Sequence, residues 1–121
     1  GIDTDEKINK FLNSSVSDFF NPLEIKNMKK ACERIISALK NNEKVMIYGD
    51  YDVDGISSTT VLFSYFNKIG INASYYIPNR VKEGYGINSD AVKKIAEEKY
   101  NLIVTAFGAK EQYLKKINKK Q

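Results

Sequence analysis

Three carboxylates stand on alternate residues at Asp50, Asp52 and Asp54, interleaved with Tyr51 and Val53, directly after the apolar run Val45-Met46-Ile47-Tyr48 and directly before Gly55. Like charges a few ångströms apart raise one another's pKa, so such a cluster persists where a divalent cation or a shared proton neutralises it. Carboxylate oxygens are hard donors, and the ion they suit is Mg²⁺ or Mn²⁺. Two plainer readings compete. A solvated acidic turn accounts for any single Asp-Gly pair, though three acids in five residues at a strand end exceed what a turn requires. The opening D-x-D-x-D-G also matches a calcium loop of EF-hand type. The twelfth position of that loop needs a bidentate Glu and is Val61 here, and a strand-like run precedes Asp50 where a helix is required.

The chain of 121 residues contains no histidine, which removes Ser-His-Asp and Cys-His nucleophilic chemistry, His-based zinc sites and the commonest general base. Catalysis would have to run on carboxylates and metal. The lone Cys32 forms no internal disulfide and falls on the apolar side of a helical pattern, as a small hydrophobe of a cytoplasmic protein does. A net charge of +4 and a pI near 9.0 suit a polyanionic ligand with a metal at the reacting phosphate. Apolar and charged contents of 42% and 28% are those of one soluble domain. No apolar run approaches the roughly 18 residues that span a bilayer, so no membrane partner is expected.

The elements that must position these acids follow from periodicity. Residues 1–20 form a polar segment with a helical-turn pattern at Ile8, Phe11 and Leu12, and residues 21–121 read as one α/β domain. Asn21 is placed as an N-cap with Pro22 at the first helical position. Met28, Ala31, Cys32, Ile35, Ile36 and Leu39 then predict a helix from 22 to about 41 with one buried face. Lys44 to Gly49 reads as a strand that delivers the aspartates at its carboxyl end. Ile56 to Ile69 reads as a helix with Ser57, Ser58, Thr59 and Thr60 in its first turn and Gly70 as its stop. Its free N-H groups and partial positive charge would seat a phosphate, while the hydroxyls are either caps or contacts to phosphate and metal-bound water. Ile71 to Ile77 is a second strand, followed by the loop N-R-V-K-E-G-Y-G-I-N. In that loop Arg80 could fork onto phosphate and Tyr85 could stack on a base or sugar, with a solvated charged loop as the alternative. Asn88 or Ser89 caps a helix over 90–99 with Ala91, Val92, Ile95 and Ala96 inward, and Asn101 to Thr105 is a third strand. The lysine-rich stretch 110–121 reads as a helix end. Strand and helix in alternation predict a parallel sheet with flanking helices, a three-layer α/β fold that binds ligands at the carboxyl ends of its strands.

Three segments carry a resemblance. Y-G-D-Y-D-V-D-G-I-S-S-T, Y-I-P-N-R-V-K-E-G-Y-G-I-N and N-L-I-V-T resemble the amino-terminal part of the RecJ single-strand-specific 5′ to 3′ DNA exonucleases of the DHH phosphoesterase superfamily. The likeness runs from about Asn21 to Thr105. It implies a DHH-type Rossmann-like domain, a two-metal Mn²⁺ or Mg²⁺ site that hydrolyses phosphodiesters, single-stranded DNA as partner, and a place in DNA repair and recombination. Carried over, Asp52 and Asp54 are catalytic metal ligands, Asp50 is a ligand or the partner of one, and Arg80 and Tyr85 face the nucleic acid; Ser57 and Ser58, from their place in the first turn of the helix, are the further candidates for substrate contact. The chain departs from the family where V-D-x-G would follow the third strand: A-F-G-A stands there, with Phe107 in place of the acid, and the D-H-H motif is absent. The expectation is therefore a truncated domain, catalytically incomplete alone, with exposed sheet edges that self-associate. The competing expectation is a non-catalytic module that keeps a metal- and phosphate-binding edge.

Overall fold

The computed structural model of the chain describes residues 1–84 and 86–106. It divides into two compact units, Gly1–Glu33 and Arg34–Gln121. In the first, α1 (Asp5–Leu12) is capped by the Thr4 side chain, which accepts from the Lys7 N-H. Phe11 and Leu12 of α1 are exposed. Short 3-10 turns follow at Val16–Asp18 and Pro22–Glu24. Asn21 caps as expected, accepting from Leu23 N-H, but the helix does not continue. Asn27 adopts a left-handed φ of 66°, and α2 (Met28–Lys40) begins only after it. The helix expected from residue 22 is thus two pieces, because one residue outside the right-handed region breaks the hydrogen-bond ladder.

The second unit holds three parallel strands, β1 (Val45–Tyr48), β2 (Ala73–Tyr76) and β3 (Leu102–Thr105), in the order β2-β1-β3. Val45 stands in register with Ala73 on one side and Leu102 on the other. Helices α3 (Val53–Lys68) and α4 (Ser89–Glu97) make the two crossovers. The first crossover leaves β1 for one flank and the second passes back to the other, so right-handedness puts the two helices on opposite faces of the sheet. Alternation along β1 makes two cores from one strand. Val45 and Ile47 pack with Ala38 of α2 and with Phe66, Leu62 and Phe63 of α3. Met46 and Tyr48 pack with Ala91 and Ile95 of α4 and with Tyr76, Tyr100 and Ile103. All four residues of β1 are buried, which is why the strand reads as a continuous apolar run.

Two details of the helical faces differ from the periodic reading. On α2 the buried residue is Ala38, whereas Ile36 and Leu39 are exposed. Ile35 and Ala38, three residues apart, form the inward line, and the broad apolar stripe left its rotation open. On α4, Ala91 and Ile95 are buried as expected while Ala96 is exposed, and Asn88 is the cap, accepting from Asp90 N-H at 2.8 Å. Among the described residues no helix is long and apolar enough to cross a membrane. The fold predicts a sharp contrast between two aliphatic truncations. Ile47→Ala, at a position with no exposure, should cost about 2–5 kcal/mol in urea unfolding. Val61→Ala, at a position 68% exposed on α3, should change stability by no more than about 0.5 kcal/mol.

Candidate metal and phosphate edge

The carboxyl ends of the three strands are bound together by backbone hydrogen bonds that run past the strands themselves. Gly49 N-H donates to Tyr76 carbonyl at 2.8 Å, and Ala106 N-H donates to Tyr48 carbonyl at 2.9 Å. The acidic segment leaves from this rim, but not as a turn. Asp52 is the N-cap of α3: its backbone is extended and its Oδ1 accepts from Gly55 N-H at 2.7 Å. The helix therefore starts at Val53, three residues earlier than expected, and Asp54 and Gly55 lie inside its first turn. An aspartate at the cap satisfies an orphan N-H and meets the positive end of the helix dipole. That is a better start signal than the serines and threonines downstream.

Two glycines allow this arrangement. A Cβ on Gly55 would stand 2.6 Å from the Asp50 carbonyl oxygen and 2.7 Å from Asp50 Cβ, and one on Gly49 would collide with the Thr59 hydroxyl. β1 and α3 thus meet closer than any side chain permits. Asp50 is pressed into the joint and is only 1% exposed. Its Oδ1 accepts from Tyr51 N-H at 2.7 Å. Its Oδ2 is buried and has no hydrogen-bond partner among the described residues, and the same holds for the Thr59 hydroxyl. Buried carboxylate oxygens are seldom left unpaired.

The acids occupy three environments. Asp50 is buried, Asp52 is exposed with one oxygen engaged in capping, and Asp54 is exposed in the first helical turn. Among the described residues no three His, Cys, Asp or Glu side chains gather as a metal site. The joint grip of all three acids expected from their spacing is therefore not assembled, because the helix begins between the second and third of them. The donors present nevertheless fit a hard divalent ion: they are carboxylates, and Asp50 offers a buried oxygen with no hydrogen-bond partner among the described residues.

The hydroxyl residues divide in a similar way. Ser57 is exposed at the start of α3. Ser58 Oγ is engaged: it donates to Asp54 carbonyl at 2.6 Å and lies 3.0 Å from Ala106 carbonyl, tying α3 to the exit of β3. Thr60 Oγ1 bonds back to Ile56 carbonyl at 2.8 Å. These are internal bonds of a helix with short polar side chains, not contacts held open for a ligand.

Arg80 does reach the rim. Its guanidinium carbon stands 5.3 Å from the centre of the Tyr51 ring, within cation–π range. It makes no ion pair among the described residues, where Lys7, Lys10, Arg34 and Lys93 supply the cations of the salt bridges. The loop that carries it is organised by residues the sequence reading did not single out. Asn79 Oδ1 accepts from Val81 N-H at 3.0 Å and Lys82 N-H at 3.3 Å. Glu83 Oε2 accepts from Asn79 N-H at 2.7 Å, while its Oε1 accepts from the Tyr76 hydroxyl. Tyr76 in turn packs on Tyr48, ring centres 5.2 Å apart, and the buried Tyr48 hydroxyl accepts from Asn88 N-H at 3.2 Å. Tyr85 and Phe107, together with the stretch 110–121, lie outside the described residues.

The electrostatics of this ladder are consistent with its hydrogen bonds. The Asn79 N-H and then the Tyr76 hydroxyl hold the Glu83 carboxyl below its ordinary 4.5. The same contact, with burial second, pushes the Tyr76 phenol up to about 12. Burial raises Tyr48, against the donation from Asn88 N-H and with the help of the Glu83 and Asp50 charges.

The described residues thus form an α/β domain with carboxylates at the exit of its first strand and, over Tyr51, an arginine that makes no ion pair among the described residues. Residues 44–120 match the DHH family, N-terminal domain, and the chain belongs to that family. It is 46% identical over 105 residues to the single-stranded-DNA-specific exonuclease RecJ of Bacillus subtilis (strain 168), which covers 87% of this chain and 13% of that protein. It is 31% identical over 75 residues to RecJ of Thermus thermophilus, covering 62% of this chain and 11% of the relative. A crystal structure of exonuclease RecJ bound to manganese superposes with a TM-score of 0.70 at 25% identity, over 84% of this chain and 26% of that one. The Thermus thermophilus RecJ structure in complex with Mn²⁺, at 22% identity and a TM-score of 0.56, shares the fold.

Two outcomes follow. Gly55→Ala should destabilise the domain by about 1–3 kcal/mol, the usual cost of overpacking, read from the urea midpoint at constant slope. The Glu83 carboxyl is depressed, so its contribution is present above pH 4.5 and lost as pH falls through its folded value. The Tyr76 phenol is raised, so its contribution is held below pH 10 and lost as pH rises through about 12. Melting temperature against pH should therefore fall on the acid side, and Glu83→Gln should flatten that limb. An unchanged acid limb in the variant would remove Glu83 from the account.

Proposed function

We propose that this chain supplies the metal- and phosphate-facing part of a RecJ-like 5′ to 3′ single-stranded-DNA exonuclease acting in DNA repair and recombination. The observation that carries the reading is the placing of Arg80, on the ring of Tyr51, at the same rim from which Asp50, Asp52 and Asp54 depart. A cation held there without an ion-pair partner among the described residues suits a phosphate, and carboxylates beside it suit the metal that phosphodiester hydrolysis needs. Asp52 and Asp54 are assigned as the metal-holding, catalytic acids, and Asp50, through its unpaired oxygen, as a ligand or the residue that orients one. The ion is Mn²⁺ or Mg²⁺, and a pair of such ions activates a water and stabilises the leaving oxygen. Arg80 and Tyr85 face the DNA strand, with Ser57 at the helix start. Ser58 is kept as a tether instead, since its hydroxyl is engaged with backbone carbonyls.

The α/β unit falls within the domain assigned to 21–121, after a polar segment 1–20, in a protein of the cytoplasm. The chain spans 13% of the length of the Bacillus subtilis relative, and its acids are not gathered as a trio among the described residues. The remaining ligands must come from other segments, and the 121-residue chain alone hydrolyses little or no DNA. Val53, Ile56, Val61 and Tyr65 are exposed apolar residues on α3, and β2 and β3 each have one strand partner among the described residues. Both features favour self-association at high concentration.

A non-catalytic binding module is the second reading, favoured by the missing trio. Calorimetric titration with Mn²⁺ separates them. The exonuclease lineage expects weak binding, a rise in melting temperature, and loss of both in Asp52→Ala. Flat titrations would leave only the second reading, in the form of a module that keeps the phosphate-binding edge without the metal, and metal-dependent turnover by the purified chain that Asp52→Ala abolishes would overturn the assignment of inactivity.

A further inference from the structure

The Asn79–Glu83 turn carries Arg80; Asn79 Oδ1 accepts from Val81 and Lys82 N-H within it, and the contacts that close it and tie it to the sheet are made by Glu83. One Glu83 oxygen closes the turn onto Asn79 N-H, and the other anchors it to the Tyr76 hydroxyl at the end of β2. Glu83 N-H also donates to Asn79 carbonyl at 2.9 Å. Both carboxylate oxygens are thereby occupied, and Glu83 forms no ion pair with Arg80 three residues before it. An acid in such a loop invites assignment as a metal ligand or a general base, but both oxygens of Glu83 are engaged within the fold. Arg80 is exposed and makes no ion pair among the described residues, and it lies over the Tyr51 ring.

Resting on the reading of Arg80 as a phosphate contact, we propose that Glu83, anchored by Tyr76, is a positioning residue that sets the affinity of this edge for nucleic acid by fixing the turn that presents Arg80 over Tyr51. Without the Glu83 carboxylate the turn keeps its backbone bond to Asn79 carbonyl but loses the side-chain bond to Asn79 N-H and its tie to the sheet together. Arg80 then has to be ordered when the ligand binds, at a cost to affinity. Substitution acts through Arg80, so its effect disappears once Arg80 is gone.

The test uses the 121-residue chain with Glu83→Gln, Tyr76→Phe, Arg80→Ala and the double variant Glu83→Gln/Arg80→Ala. The probe is a fluorescent single-stranded oligothymidylate in the presence of Mn²⁺. Glu83→Gln and Tyr76→Phe should each weaken binding by about 3- to 10-fold, the equivalent of one hydrogen bond, and the double variant should bind no more weakly than Arg80→Ala. A second readout does not depend on the ligand: ring-current-shifted Arg80 side-chain protons in the NMR spectrum should be present in the parent chain and lost in Glu83→Gln. Retention of that signature in Glu83→Gln overturns the proposal, as does an additive loss in the double variant. If Arg80→Ala leaves binding unchanged, the assignment of Arg80 to phosphate fails. The NMR signature then decides the positioning role alone, its loss in Glu83→Gln supporting the role and its survival refuting it.

Discussion

The structure depends on how closely the end of β1 approaches the first turns of α3. With a Cβ at either Gly49 or Gly55 the strand and helix would be held apart by a side chain's width. Without one, Asp50 is buried in the joint, Asp52 becomes the cap of α3, and the helix N-terminus opens at the rim of the sheet. A glycine within a helix costs roughly 0.5–1 kcal/mol relative to alanine, and here the cost is offset by packing that no larger residue could make. The acids are placed by this contact, not by their own spacing.

A second layer of control comes from the opposite face of the sheet. Tyr48, fully buried on β1, and Tyr76 on β2 pack against each other beneath the rim. Their hydroxyls emerge at the segment that precedes α4, one at Asn88 and the other at Glu83. An aromatic side chain combines a large buried surface with one polar end, and both tyrosines spend that end on the Asn79–Asn88 stretch. Polar groups near the site therefore fall into two sets. Glu83, Asn79, Asn88 and Ser58 have found partners within the fold, whereas Asp50 Oδ2, the Thr59 hydroxyl and the Arg80 guanidinium lack hydrogen-bond or ion-pair partners among the described residues. Buried polar groups are usually paired, and among the described residues the one other buried polar side-chain atom without a hydrogen-bond partner is Arg34 Nη1.

The opposite end of the sheet shows what the rim would look like if it served stability alone. There Arg34 bonds Glu43 at 2.6 Å, Lys44 lies 4.4 Å above the Tyr100 ring and donates to Glu98 carbonyl, and Asn101 accepts from Lys44 N-H. The charges of both signs are paired off locally. At the carboxyl rim Asp50, Asp52 and Asp54 lie on one segment and Arg80 on another, and among the described residues no ion pair joins them.

The sequence by itself determined the order of elements, the parallel sheet and the strand that carries the acids. Apolar runs of strand length alternating with helical periodicity have few other solutions. The family likeness was equally legible in the G-D-Y-D-V-D-G and E-G-Y-G segments. What only the tertiary structure decided was the environment of each charged group. Asp50, Asp52 and Asp54 look equivalent as written, yet one is buried, one caps a helix and one is exposed, because the start of α3 is set by how near β1 lets it come. Glu83 and Arg80 look like a pair of opposite charges in one loop, yet Glu83 turns to Tyr76 and Asn79, partners up to seven residues distant that only the folded rim brings within hydrogen-bond reach. Spacing along a chain sets which residues are local to one another, whereas burial and partnering are set by contacts between segments, and those contacts exist only once the sheet and its helices have closed.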